Sequence, residues 1–156
     1  MTLQFLPLPT NDVRALQAGR ADANGQSPET LISDGAGIPC RHCLQEVPAG
    51  KPYLILAYRP FPKAQPYAEV GPIFLCADTC APHADGAALP EILGTSPDYL
   101  LKGYGADDRI VYGTGQVTPR EALRDTAEAI LARPDVEYVH VRSARNNCYQ
   151  CRIDRA

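Results

Sequence analysis

Short apolar runs of β-prone residues, each cut off by proline or glycine, recur along most of this chain and limit what it can fold into. With 15 prolines and 12 glycines, the sequence favours short elements joined by many loops. "YLILAYR", residues 53–59, is a continuous apolar run that reads as a strand buried on both faces. "EVGPIFLCA", residues 69–77, reads as its hairpin partner. The intervening "PFPKAQPYA" holds three prolines, which exclude regular structure and leave a long, stiff, aromatic-bearing loop. "LQFLPL", "YLLKGY", "RIVYGTGQV", "VEYVHVR" and "CYQCRI" add further strands, whereas "ADANGQSPETLISDGAGI" reads as a surface loop.

Helices are fewer. "TNDVRALQAG" predicts a short N-terminal helix, capped by Thr10 or Asn11, with Val13 and Leu16 on one face and Gly19 at its end. The longest helix is predicted over residues 119–133. There Thr118 and Glu121 form a capping box, Pro119 takes the first position, and Leu123, Ala127, Ile130 and Leu131 share a face. Strands outnumbering helices predict an α+β fold: a single, mostly antiparallel, twisted sheet with helices on one face. A closed β-barrel with peripheral helices is the alternative. A length of 156 residues predicts a single domain, 1–156.

A net charge of −3 supplies no basic field, so neither nucleic acid nor a membrane surface is expected as a partner. No apolar stretch approaches the roughly 20 residues that cross a bilayer. The start, "MTLQFLPLPTNDVRAL", begins with Met and has no basic segment before its short, proline-broken apolar run, which is unlike an export signal. The expected location is the cytoplasm.

In a reducing compartment, paired cysteines more often bind metal or do redox work than form stable disulfides. Six cysteines are present, four of them in two Cys-x-x-Cys pairs at opposite ends of the chain: Cys40 and Cys43, and Cys148 and Cys151. If the fold brought the pairs together, their four thiolates would form a tetrahedral zinc site tying the tail to the early loop. Arg41, Arg145 and Arg152 would offset the negative charge. A second reading is thiol–disulfide chemistry at Cys40 and Cys43, since Arg41 and His42 between them favour a thiolate. Pro48, Gly50 and Pro52 follow too closely for the long helix of a thioredoxin-like site. Cys76 and Cys80, with His83 nearby, have metal-compatible spacing, but Cys76 continues an apolar strand where cysteine packs as a small hydrophobe.

Other residues offer polar chemistry. Arg41, His42, Arg142 and Arg145 are a candidate anion-binding group, provided the two ends of the chain meet. The competing expectation is a solvated terminal strand whose arginines pair with acids. His140, between Val139 and Val141, reads as a hydrogen-bonded core histidine, and "GADD" at Asp107 and Asp108 reads as a tight turn. Arg59, Phe61, Tyr67 and Glu69 around the proline-rich loop either line a pocket for a small planar or acidic ligand or pack the loop onto the sheet.

"PCRHCL", "YRPFP…PYAEVGPIF", "DDRIVYGTG" and "YVHVRSARNNCYQCRI", in this order, resemble the bacterial family catalogued as domain of unknown function 1203. The resemblance implies a small bacterial protein and assigns no catalytic residue. The expectation is a zinc-stabilised domain that binds a small molecule or a protein. The alternatives are a redox protein or sensor using Cys40 and Cys43, and an enzyme acting on an anionic small molecule held by Arg142 and Arg145.

Overall fold

The computed structural model describes residues 1–84 and 88–156. The elements run β1 (Leu3–Leu6), α1 (Thr10–Gln17), β2 (Glu29–Ile32), β3 (Pro52–Tyr58), β4 (Gly71–Cys76), β5 (Asp98–Tyr104), β6 (Gln116–Pro119), α2 (Leu123–Leu131), β7 (Tyr138–Ser143) and β8 (Tyr149–Arg155). Short 3-10 turns occupy Glu91–Gly94 and Arg120–Ala122.

The class is α+β with antiparallel pairing between strands, but the expected single sheet is two. A five-stranded sheet has the order β1-β8-β7-β5-β6, and a three-stranded sheet has the order β2-β3-β4. The predicted hairpin forms in register from Tyr53↔Cys76 to Tyr58↔Gly71. Pro72 lies within β4 and has no N–H to donate, so β4 is suited to an edge and not to the interior of a larger sheet. The hairpin also has its own core: Leu54, Leu56, Ile73 and Leu75 pack with Val13 and Leu16 of α1. β2 arises inside the stretch expected to be a loop, and all four of its residues are exposed, so it lacked a burial pattern to announce it.

The five-stranded sheet has two unlike faces. Leu101, Val139, Val141, Cys151 and Ile153 face a core completed by Leu123, Ala127, Ile130 and Leu131. Burying each Leu or Ile there contributes about 1.5–3 kcal/mol. The expected helix over 119–133 buries the predicted face but starts later, with a 3-10 turn at Arg120–Ala122 before α2. Thr118 cannot cap it: its residue pairs with Tyr99 in β6, and its hydroxyl donates to the Gln116 carbonyl at 3.4 Å. The strand expected over "RIVYGTGQV" is shortened similarly. Gly113 turns the chain at φ 90°, and Thr114 Oγ1 accepts the Gly103 N–H at 2.9 Å before β6 begins.

The opposite face is polar and aromatic, although it is buried. Tyr104 stacks on Tyr138 at 5.3 Å between ring centroids, and the His140 ring lies 4.7 Å from Tyr104. Phe61 from the proline-rich loop covers them, 5.0 Å from His140.

Candidate metal centre

Cys40 and Cys43 lie on a tight turn. The Leu44 N–H donates to the Cys40 carbonyl, and the Cys40 N–H donates to the Gln45 carbonyl, both at 3.0 Å. Leu44 closes the turn at φ 55°, a left-handed conformation that costs a non-glycine residue about 1–3 kcal/mol. Complete burial of its side chain in the main core offsets that strain.

The turn runs beside β4. Cys40 bridges Phe74 in parallel, and the Arg41 N–H donates to the Phe74 carbonyl at 3.1 Å. Cys76 at the end of β4 and Cys80 four residues on therefore face Cys40 and Cys43. α1 secures the second loop: Arg14 donates to the Cys80 carbonyl at 2.7 Å, and Gln17 donates to the carbonyls of Cys76 and Asp78 at 2.9 and 3.0 Å.

All four sulfurs lie within 4.8 Å of one another. The Cys40–Cys80 and Cys43–Cys76 separations are both 4.0 Å. A disulfide needs about 2.05 Å. A tetrahedral ion with thiolate bonds of about 2.3 Å spaces its sulfurs about 3.8 Å apart. The four thiols are placed so that they could hold one metal ion as a four-thiolate cage, and all six cysteines of the chain are free.

Neighbouring donors support negative charge at the cage. The Cys76 N–H points to Cys40 Sγ at 3.2 Å, and His42 Nδ1 lies 3.2 Å from Cys80 Sγ. Thr10 Oγ1 is 2.9 Å from His42 Nε2 and fixes the ring. Hydrogen bonding with Cys43, then Cys76, lowers the Cys40 thiol to about 6. Cys80 is also lowered, first by Cys40, whereas Cys43 and Cys76 are raised, each first by Cys40. A bound cation would displace the protons that such thiols carry.

Cys40 and Cys43 thus meet Cys76 and Cys80, not the expected Cys148 and Cys151. Cys151 is buried in the main core, and burial pushes its thiol up to about 12. Cys148 lies before β8, with its sulfur 3.8 Å from the Asn146 carbonyl. The reason is local: three residues along an extended strand span roughly 10 Å, too far for two ligands on one ion. The His83 N–H donates to the His42 carbonyl at 2.9 Å, and its ring is not part of the four-residue cluster.

The four expected anion-binding residues do not share one partner. Arg41 is buried and lowered to about 10 by desolvation, with Nε on the Tyr149 carbonyl at 2.7 Å and Nη1 on the Pro39 carbonyl at 2.6 Å. His42 is engaged by Thr10 and Cys80. Arg145 reaches Asp98 at 2.7 Å on the surface. Arg142 is buried, with Nη1 on the Asn147 carbonyl at 3.1 Å and 3.4 Å from Glu69.

Comparison with protein families adds a match to the one described as "Protein of unknown function (DUF1203)", over residues 37–155. The chain belongs to this family. The matched span contains all four cage cysteines. No curated protein and no solved structure matches the chain. Among the described residues, no helix is long and apolar enough to cross a membrane.

Proposed function

We propose that this chain is a zinc-stabilised domain, with Cys40, Cys43, Cys76 and Cys80 holding the ion and the rest of the fold binding a small molecule or a protein. The observation that carries this reading is the convergence of four free thiols within 4.8 Å at the meeting of two loops. An all-sulfur, four-ligand set favours zinc and leaves no open position, which fits a structural role better than a catalytic one. The ion would join the turn before β3 to the loop after β4, closing the end of the smaller sheet. A cytoplasm keeps such thiols reduced.

Thiol–disulfide chemistry at the expected Cys40 and Cys43 has less support, because Cys40 is fully buried and the Cys43 thiol is raised, first by its hydrogen bond with Cys40. The test is metal analysis of protein purified without chelators. The zinc reading expects close to one equivalent, retained in Cys148→Ser and lost in Cys76→Ser. Metal-free protein of undiminished stability would remove it.

A further inference from the structure

The polar face of the five-stranded sheet carries an unusual concentration of unsatisfied groups. Among the described residues, six buried side-chain polar atoms have no hydrogen-bond partner, and five of them gather here: Arg59 Nε, Tyr104 Oη, His140 Nδ1, and Nε and Nη2 of Arg142. A buried donor left unpaired costs about 1–3 kcal/mol, and more when charged, so such a cluster calls for a partner. His140 is 1% exposed and Arg142 4%.

Three of these four residues line two adjoining cavities, Arg59 and His140 the larger and Arg142 the smaller. A cleft of about 670 Å³ is lined by Arg59, Phe61, His140 and Tyr149 among others. A recess of about 190 Å³ is lined by Arg142, Glu69 and Asn147 among others. Tyr58, Pro60 and Tyr149 line both. None of the four cage cysteines lines either one.

The charges around them are unevenly matched. Arg152 is paired with Asp154 at 2.5 Å, and Asp12 lies 3.7 Å from Arg20. Asp22 accepts backbone N–H groups from Ala57 and Gln26. Lys102 and Arg142 share one carboxylate, Glu69, each at 3.4 Å. Arg59 Nε has no hydrogen-bond partner among the described residues. The unmatched charged atoms are therefore guanidinium nitrogens of Arg59 and Arg142, beside aromatic side chains.

We propose that this face is a binding site for a small planar anion, an aryl phosphate or aryl carboxylate. Its charged group meets Arg142 and Arg59, and its ring lies in the larger cleft against Phe61, His140 and Tyr149. Guanidinium forks suit either head group, and an aromatic lining favours a flat body. The site is independent of the metal centre, so metal content and ligand binding fail separately.

The experiment is a titration, followed by melting temperature and by NMR, with phenyl phosphate, benzoate and inorganic phosphate at matched ionic strength. At least one aryl probe is expected to bind saturably and tighter than inorganic phosphate. Arg59→Met should not lower the probe-free melting temperature and should weaken that binding about 10- to 100-fold. Arg142→Met should weaken it similarly, and if that variant fails to fold, Arg59→Met decides. No saturable response to either aryl probe, or Arg59→Met binding like the parent, would overturn the proposal. Equal binding of inorganic phosphate would overturn its planar half.

Discussion

Removing the metal, or one of its ligands, should lower the melting temperature by an amount that the loop geometry sets. Cys43 and Cys76, 4.0 Å apart at sulfur, are separated by 33 residues in sequence. A cross-link closing a loop of that length removes denatured-state entropy worth about 4 kcal/mol near room temperature. For a chain of this size, each kcal/mol moves the melting temperature by about 2–4 °C, so the expected drop is about 8–16 °C. Scanning calorimetry would compare metal-loaded protein, chelator-dialysed protein and Cys76→Ser. The last two should melt together, and Cys148→Ser should melt with the loaded parent. A drop below about 2 °C in the chelated protein, or an equal drop in Cys148→Ser, would refute the cross-link.

Three further outcomes follow from particular contacts. His42→Leu removes the ring beside Cys80 Sγ and should weaken metal affinity about 10- to 100-fold in a chelator competition. Burial, followed by the charge of Arg142, holds His140 well below its usual range, so the unfolded chain takes up a proton that the folded one refuses. That contribution is intact above about pH 6.5 and is lost as pH falls towards the folded value, by up to about 1.4 kcal/mol per unit, and His140→Phe should flatten the slope in denaturant titrations. Gly103→Ala places a Cβ 2.9 Å from Ile130 Cγ2 and 3.1 Å from the Thr114 side chain, and should cost about 1–3 kcal/mol by the same titration.

The sequence announces what is local. Continuous apolar runs marked β3, β4, β5 and β7, and the spacing of Leu123, Ala127, Ile130 and Leu131 marked the buried face of α2. What it hid depends on distant partners. Pro72 was the signal that the hairpin would stand as its own edge-limited sheet, but a proline near a strand end is also compatible with one sheet. Thr118 looked like a helix cap because its competing use, pairing with Tyr99, lies in another strand.

Half of the candidate metal site was legible, because Cys-x-x-Cys on a turn before a proline- and glycine-rich stretch already converges two sulfurs. The other half was split between two similar patterns. Cys148 and Cys151 repeat the spacing but lead into an extended strand, which separates them. Cys76 looked like a packed strand residue, and is one, yet it is the last of β4 and so stands at the loop with Cys80. The end of an apolar run was the signal to weigh. His140 was expected to be a hydrogen-bonded core histidine. It is in the core, but its Nδ1 is unpaired.

X-ray absorption at the zinc edge of the loaded protein tests the central claim most directly. Four sulfur neighbours at about 2.3 Å, with no nitrogen or oxygen in the shell, and loss of that four-sulfur shell in Cys80→Ser, are the predicted result. A mixed shell, or an unchanged four-sulfur shell in Cys80→Ser, would contradict it.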